Sequence, residues 1–153
     1  MAFSAPSLKG RALRLLSQRE HSRTELERKL KHHEEEPGTL ALALDELAAK
    51  DFISEARVVQ SVLNQRAPRM GAARVRQELQ HKGIAPDAIA EAVAGLQDSE
   101  LQRARDVWRR RFDALPADAK ERARQGRFLL ARGFSGAVVG RVLRWTDSDD
   151  ASG

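Results

Sequence analysis

The sequence predicts an all-α fold in which three tandem three-helix repeats form an elongated, curved array. Nine segments place apolar residues three or four positions apart, which is the spacing of one helix face. The alternating β-branched runs that indicate strands are missing. Two similar phrases, LQHKGI at 79–84 and LLARGF at 129–134, recur at a spacing of 50 residues, which is typical of a repeat architecture.

The predicted first repeat covers residues 1–53. Its first helix is LKGRALRLLSQ, and Ser22 followed by Glu25 predicts a capping box at the start of the second helix. The helix-breaking segment EEEPG at 34–38 follows, and Thr39 begins the third helix, LALALDELAAK. These signals predict three helices in the first third of the chain.

The predicted second repeat covers residues 54–97. Ser54 is placed to cap the helix EARVVQSVLNQR, and APRMG at 67–71 separates that helix from AARVRQELQHK. Gly83 ends the middle helix, and Pro86 suits the first turn of the third helix because its missing N–H has no helical partner there.

The predicted third repeat covers residues 98–146, and residues 147–153 are predicted to be a disordered acidic tail. The middle helix of this repeat, DAKERARQGRFLLAR, ends at Gly133. The last helix follows Ser135 and is predicted to run through GAVVGRVLRW, so that Trp145 lies at its end.

The first helix of the third repeat is predicted to be the longest. Ser99 and Gln102 form a possible second capping box, and the helical period continues to Leu115.

Aligning the three groups gives one register for their core positions. Leu30, Leu79 and Leu129 correspond at spacings of 49 and 50 residues. Near the ends of the third helices, the corresponding positions are Leu47, Leu96 and either Val142 or Leu143.

The recurring glycine has a local explanation. Gly83 and Gly133 are predicted to take the left-handed conformation just after a helix, so that Ile84 and Phe134 fold back onto its last turn. The first repeat has Glu34 at the equivalent position and a longer loop, and terminal repeats are often atypical.

Charge is concentrated in the last third of the chain. The net charge is +5, but residues 101–146 carry twelve bases and only four acids. Such a local excess favours a polyanion or an acidic protein face as the partner. The alternative is a solvated helix surface from an arginine-rich proteome, since 21 of the 27 bases are arginine.

We predict that two basic clusters contact the partner, because the planar guanidinium fork pairs with carboxylate or phosphate and keeps its charge. In the C-terminal cluster, which also includes Arg122, the predicted contact residues are Arg103, Arg109, Arg110, Arg111, Arg124, Arg127 and Arg132. In the middle cluster, which also includes Arg66, they are Arg69, Arg74, Arg76 and Lys82.

Other constellations are assigned no chemistry. Neighbouring helical residues diverge by about 100°, so His32 and His33 in HHEEE are not expected to chelate a metal together. The aromatic residues of the third repeat are predicted to pack in the core rather than to stack on bases: Trp108, Phe112, Phe128 and Phe134.

The sequence predicts a non-enzymatic protein without catalytic residues, metal or cofactor. It contains no phosphate-binding loop, nucleophile elbow or dinucleotide-binding turn, and it has no cysteine. No apolar run approaches the roughly 20 residues that span a bilayer, and MAFSAPSLKG lacks a signal-peptide apolar region. These features predict a cytoplasmic protein without membrane contact.

The chain also resembles a known family. The stretch LDELAAKDFISEARVVQSVLNQRAPRMGAARVRQELQHKGI at 44–84 resembles the central repeat of the RecX family, which comprises bacterial regulators of the RecA recombinase. LLARGFSGAVVGRVL at 129–143 resembles the end of the third repeat of that family, and the resemblance extends over residues 8–145. One departure is that family members usually have more aromatic residues near DFISEARVVQSVL, whereas this sequence has no tyrosine.

The resemblance implies tandem three-helix repeats and a function. A RecX-like protein is expected to bind the RecA–single-stranded DNA filament and to inhibit its growth, strand exchange and ATP turnover. It is expected to contact single-stranded DNA weakly or through RecA, and we predict that it acts as a monomer.

Two other functions remain open from the residues alone. Three-helix units are similar to helix-turn-helix domains, which would make the chain a DNA-binding protein with a sequence preference. A helical-repeat scaffold for some other acidic protein is the third possibility.

Overall fold

The fold, taken from a computed structural model, is all-α over the residues that the structure describes, 5–144. No strand occurs within that range. The nine α-helices of these residues are α1 Leu8–Gln18, α2 Arg23–Leu30, α3 Thr39–Ala49, α4 Glu55–Arg66, α5 Ala72–His81, α6 Pro86–Ala94, α7 Glu100–Arg111, α8 Ala119–Ala131 and α9 Gly136–Val142. Short 3₁₀ helices follow α2 at Lys31–His33 and precede α7 at Gln97–Ser99.

The helices form three consecutive groups, and each group has its own hydrophobic core. The predicted register is confirmed at the middle helices, because Leu30, Leu79 and Leu129 are 3%, 0% and 0% exposed in the three separate cores. The positions near the ends of the third helices are also buried: Leu47, Leu96, Val142 and Leu143. The three-helix repeat predicted from the sequence is therefore the structural unit.

The two glycine turns have the predicted conformation. Gly83 has φ 72° and Gly133 has φ 90°, both in the left-handed region. The N–H of Ile84 donates to the carbonyl of Leu79 at 3.1 Å, and that of Phe134 donates to Leu129 at 3.4 Å. These bonds fold each following residue onto the last helical turn, and both residues are buried.

Helix α7 is shorter than predicted. It ends at Arg111 rather than Leu115, because Phe112 turns to extended geometry, with φ −124° and ψ 143°. Phe112 then packs edge-on against Phe128, with ring centroids 5.2 Å apart. The amide Nε2 of the buried Gln125 donates to the carbonyl of Ala114 at 3.1 Å and holds the loop outside the helix.

The predicted capping box at Ser99 is absent, whereas the one at Ser22 and Glu25 is confirmed. Ser99 lies in a 3₁₀ turn, and its hydroxyl donates to the carbonyl of Leu96 at 3.3 Å and accepts from Arg103 Nε at 2.9 Å. A side-chain hydroxyl used in this way is not available to the N-terminal amides of α7.

The first residue of α3 is Thr39, as expected, but the cap comes from elsewhere. Gly38 precedes the helix with φ 91° and has no side chain to offer. A carboxylate oxygen of Glu34 accepts from the N–H of Leu40 at 2.8 Å. The acidic loop after His33 therefore stabilises the start of the next helix.

The second and third repeats are joined by an end-to-end contact between their middle helices. The carbonyls of Arg132 and Gly133, at the end of α8, accept from the N–H groups of Gly71 at 2.8 Å and Ala73 at 3.3 Å, at the start of α5. Between these two donors, the N–H of Ala72 donates to the carboxylate of Glu100 at 3.2 Å. The third repeat thus satisfies three N-terminal amides of a helix in the second repeat.

Glycine is needed on both sides of this contact. A Cβ on Gly71 would overlap the carbonyl oxygen of Gly133, and a Cβ on Gly133 would overlap Arg74. The first and second repeats meet in a similar way, since a Cβ on Gly83 would overlap the hydroxyl of Thr24 in the first turn of α2. The repeated glycine therefore allows each repeat to approach the one before it.

Ion pairs reinforce the junction of the first two repeats. Glu25 accepts from Arg19 at 2.7 Å and from Lys82 Nζ at 3.0 Å. Arg57 donates to Glu20 at 2.8 Å and to the Asp51 carboxylate at 3.0 Å. Burial on its own would raise the pKa of Glu25, but the bonds from Arg19, the Ser22 backbone and Lys82 lower it to about 2.

The curvature of the array stays a prediction, and so do the boundaries between repeats at residues 53/54 and 97/98. The predicted tail at 147–153 and the position of Trp145 lie outside the described residues. Among the described helices, none combines the length and apolarity that a membrane span requires.

We predict that Gly133→Ala destabilises the protein by about 2 kcal/mol or more, because it combines left-handed strain with overlap on Arg74. The thermal midpoint, followed by circular dichroism, should fall by roughly 4–8 °C. Gly136→Ala is the control, because nothing lies within 4 Å of a Cβ at that position. Equal midpoints for the two variants would contradict the close approach.

A second prediction concerns pH. The low pKa of Glu25 means that its stabilisation is present above the unfolded value of about 4.5 and is lost as the pH falls toward 2. Glu25→Gln should therefore cost about 1–3 kcal/mol near pH 7 and progressively less in urea titrations below pH 4.5. Glu27→Gln, which removes an exposed pair with Arg23, should cost less than about 0.5 kcal/mol. A cost for Glu25→Gln that does not change with pH would count against these ion pairs.

Candidate functional site

The basic residues predicted to contact a partner fall into two groups in the structure. Lys82, Arg103 and Arg124 make ion pairs or several hydrogen bonds within the protein. Others are exposed or half-buried, and four of these line a common pocket.

Arg103 binds backbone carbonyls at the junction of the second and third repeats. Its NH1 donates to the carbonyls of Ala67 and Met70, both at 2.7 Å, and NH2 donates to that of Leu96 at 3.1 Å. Burial lowers its pKa, and the opposing effect of Glu100 is smaller. Because its donors are occupied, Arg103 is better explained as a structural residue than as a contact residue.

Arg103 also fixes the loop that carries Arg69. The two carbonyl oxygens that lie 2.7 Å from NH1 of Arg103 belong to Ala67 and Met70, on either side of Arg69 in the turn after α4. Within this turn the N–H of Arg69 donates to the carbonyl of Arg66 at 2.9 Å. Arg69 itself is exposed, so the half-buried Arg103 holds the backbone from which an exposed arginine projects.

Two further predicted residues are paired with acids. Lys82 Nζ bonds Glu25, and the side chains are only 15% and 11% exposed. Arg124 makes two bonds to Glu121, at 2.6 and 2.9 Å, which lower the pKa of Glu121 to about 2. A partner would have to compete with these carboxylates.

Four of the remaining arginines converge at one place. A pocket of about 240 Å³ lies between the second and third repeats. It is lined by Arg69, Val107, Arg110, Arg111, Phe128 and Arg132. Among the described residues no acid lines it, and none of its four arginines forms an ion pair with a described acid. The pocket is therefore a concave site of positive charge with an apolar wall.

Aromatic contacts orient two of these guanidinium groups. The Arg132 guanidinium carbon lies 3.7 Å from the centroid of the Phe128 ring, and that of Arg111 lies 5.8 Å from it. Phe128 is packed against the core of the third repeat, which fixes the position of the ring. A cation over an aromatic face is attracted by the ring quadrupole, so this packing orders the arginines before any ligand binds.

Besides Lys82, Arg103 and Arg124, four more predicted residues lie outside this pocket. Arg74, Arg76, Arg109 and Arg127 are all exposed. Arg74 borders a second concavity that also contains the ion pair between Arg66 and Glu78, at 3.1 Å. Nothing in the geometry separates Arg76 and Arg127 from an ordinary solvated surface.

The sequence did not indicate the apolar wall of the pocket. Phe128 was predicted to be a core residue; it packs against the core but is only half-buried. Phe112 and Phe134 are buried as predicted, and Trp108 is half-buried and donates its indole N–H to Gln125 at 2.8 Å. One signal was available, because Phe128 and Arg132 are four positions apart and share a helix face.

The histidines and acids of residues 5–144 form no metal centre. No group of three or more His, Asp or Glu in this range is placed to hold a metal ion. His32 and His33 have ring centroids 4.0 Å apart, in the 3₁₀ turn of the first repeat.

The fold and this surface define a class: an all-α tandem-repeat protein whose candidate site is a cluster of arginines. Models of the first, second and third three-helix domains of RecX match residues 9–47, 54–93 and 98–143. The chain therefore belongs to the RecX family.

Curated relatives agree with this assignment. "Regulatory protein RecX" of Leptothrix cholodnii is 54% identical over 151 residues, covering 97% of this chain and 96% of the relative. The protein of the same name from Ralstonia nicotianae is 49% identical over 142 residues, covering 93% and 89%. These relatives are named as regulatory proteins.

Solved structures support the fold. "Crystal structure of RecX from Lactobacillus salivarius" superposes with a TM-score of 0.70 at 20% identity, covering 90% of this chain and 92% of that one. "Crystal structure of regulatory protein RecX" superposes with a TM-score of 0.75 at 19% identity, covering 90% and 72%.

We predict that Arg103→Gln destabilises the protein by about 2–3 kcal/mol, because three carbonyls lose charged donors. Arg110→Gln removes the same charge from an exposed position of the same helix and should cost less than about 0.5 kcal/mol. Urea denaturation of both variants measures the difference, and equal stabilities would refute the structural role of Arg103.

Proposed function

We propose that this chain regulates the RecA recombinase by binding the RecA–single-stranded DNA filament and inhibiting its growth, strand exchange and ATP turnover. Membership in a family of regulatory proteins supports the regulatory part of this proposal. The observation that carries the contact is the pocket, where four arginines converge without a described acid among the lining residues. Such a site is suited to an anionic partner, whether carboxylate or phosphate.

The contact surface would centre on the junction of the second and third repeats. We place Arg69, Arg110, Arg111 and Arg132 at its centre, with Arg109 beside them on α7. Arg74, Arg76 and Arg127 extend the surface, and Arg103 supports it from within. Lys82 would join only by exchanging its bond to Glu25. Arg124 would join only by exchanging its bond to Glu121.

No catalytic step is needed for this activity. A filament alternates between active and inactive states, and a protein that binds one state more tightly shifts the population toward it. An array of three repeats offers a long surface, which would bridge adjacent RecA protomers in the groove or cap the growing end. We propose that the chain acts in this way as a cytoplasmic monomer and touches single-stranded DNA weakly or through RecA.

A helix-turn-helix reader of duplex DNA is less well supported. Such a domain inserts one helix of a three-helix unit into the major groove. Two of the three third helices carry exposed acids, Asp45 and Glu46 on α3 and Asp87 and Glu91 on α6, whereas α9 carries none. Negatively charged side chains on an inserted helix would repel the negatively charged phosphates of DNA.

The proposal predicts a loss of inhibition when the pocket loses charge. Arg110→Gln with Arg111→Gln should raise the concentration needed to slow ATP hydrolysis by RecA on single-stranded DNA about tenfold or more, because two charge-assisted contacts are removed. Glutamine adds no negative charge at the end of α7, which limits the effect on helix stability.

A matched control separates this site from general charge. Arg14→Gln with Lys50→Gln also removes two exposed positive charges, but from the first repeat. This variant should inhibit within about twofold of the unmodified protein. Full inhibition by the folded Arg110/Arg111 variant would show that the pocket is not part of the contact surface. No inhibition by the unmodified protein would refute the proposed function.

A further inference from the structure

The arginine pocket has features that discriminate between its two possible anionic ligands. Four guanidinium groups line about 240 Å³, which is below the roughly 300–1,000 Å³ of pockets for whole small molecules. The space suits one phosphate with part of the adjoining nucleotide. A single carboxylate is satisfied by one bidentate arginine, so it would leave most of this charge unmatched.

The wall of the pocket favours a nucleotide as well. The half-buried Phe128 presents apolar surface beside the guanidinium groups, and the guanidinium carbon of Arg132 lies 3.7 Å from the centroid of its ring. Val107 lines the same wall but is only 6% exposed. RNA and single-stranded DNA are commonly held by a cationic track for the backbone and by flat surfaces on which bases stack, including guanidinium planes. The Arg132–Phe128 pair supplies such a flat surface at the edge of a cationic pocket.

The site is also preorganised. Arg103 donates hydrogen bonds to the carbonyls on either side of Arg69, both at 2.7 Å. These bonds fix the backbone of the loop that forms one side of the pocket. Arg110 and Arg111 project from the last turn of α7, and Phe128 is held by the core of the third repeat. Because the rim is built from two repeats, the pocket exists only where they are docked.

From these contacts we infer that the pocket binds a backbone phosphate of single-stranded DNA directly, with the adjoining base stacked on the Arg132 guanidinium. Arg69, Arg110 and Arg111 surround the phosphate. The base must be unpaired to reach Arg132, so the site selects single strands over duplex. This inference deepens the proposed function by assigning this part of the surface to DNA rather than to RecA.

The test uses the full-length protein without RecA. A fluorescein-labelled oligomer of twenty thymidines is titrated, and anisotropy is measured at several salt concentrations. Arg110→Gln with Arg111→Gln should weaken binding about tenfold and reduce the salt dependence by about 0.7 in slope for each phosphate that is no longer neutralised. Arg14→Gln with Lys50→Gln should change affinity by less than about twofold. An equal loss of affinity in both double variants, or none in the first, would overturn the inference.

A second comparison tests the base. The unmodified protein should prefer the thymidine oligomer to an abasic oligomer of equal length and charge, and a duplex of that length should bind more weakly. Arg132→Lys keeps the positive charge but removes the planar guanidinium on which the base would stack. It should therefore weaken binding of the thymidine oligomer about threefold or more, leave the abasic oligomer unaffected, and so abolish the preference between the two. A preference that survives Arg132→Lys would overturn the placement of the base.

Acidic protein is the competing ligand. A labelled peptide of ten glutamates that binds as tightly as the thymidine oligomer, with the same loss of affinity in the Arg110/Arg111 variant, would overturn the inference in favour of carboxylate.

The two proposals fail separately. If that variant binds DNA normally but no longer slows RecA, the inference fails and the proposed function stands. If the unmodified protein binds DNA through the pocket but leaves RecA unaffected, the proposed function fails and the pocket assignment stands.

Discussion

The docking of one repeat onto the next depends on helix ends that meet without side chains between them. At the start of α5 the chain has no capping side chain, because the residue in that position is Gly71. Its free amides are satisfied instead by carbonyls at the end of α8 and by Glu100. Buried amides without partners are costly, so α5 is complete only when the third repeat is in place. The contact also sets a negative helix end against a positive one, which is the favourable order.

The ends of the array are closed by different means. Within residues 5–144 the start of α8 receives its cap from its own chain segment, because a side-chain oxygen of Asp118 accepts from Glu121 N–H at 2.8 Å. The end of α2 has a 3₁₀ turn in place of the glycine turn, and Glu34 from that loop caps α3. Terminal units of a repeat protein need such substitutes, because an unpaired stacking face would be exposed. Interior and terminal repeats therefore differ where their neighbours differ.

The sequence predicted the elements that depend on local chemistry. The nine helices, the common register of Leu79 and Leu129, and the left-handed turns at Gly83 and Gly133 follow from periodicity and backbone sterics, and all were confirmed. The errors occurred where tertiary contacts override local preference. Helix α7 stops early, at the point where Phe112 turns to extended geometry and packs edge-on against Phe128.

The same limit explains why the candidate site was only partly predictable. A sequence shows that arginines are numerous, but it does not show which of them meet carbonyls and which meet solvent. Arg103 and Arg110 lie on one helix, yet the first binds three backbone carbonyls and the second lines a pocket. The difference comes from docking, because the carbonyls of Ala67 and Met70 belong to the preceding repeat.

This division also connects stability with binding. Arg103 holds the second repeat against the third, and through the same two carbonyls it fixes the turn that presents Arg69 at the pocket. A change that loosens the junction would therefore separate Arg69 from Arg110 and Arg111 before it unfolds either repeat, since each repeat has a core of its own. The geometry of the pocket thus depends on whether the second and third repeats are docked. A partner that binds across the pocket would stabilise the junction of the two repeats. The size of this stabilisation is the difference between its binding free energies for the docked and the undocked arrangement.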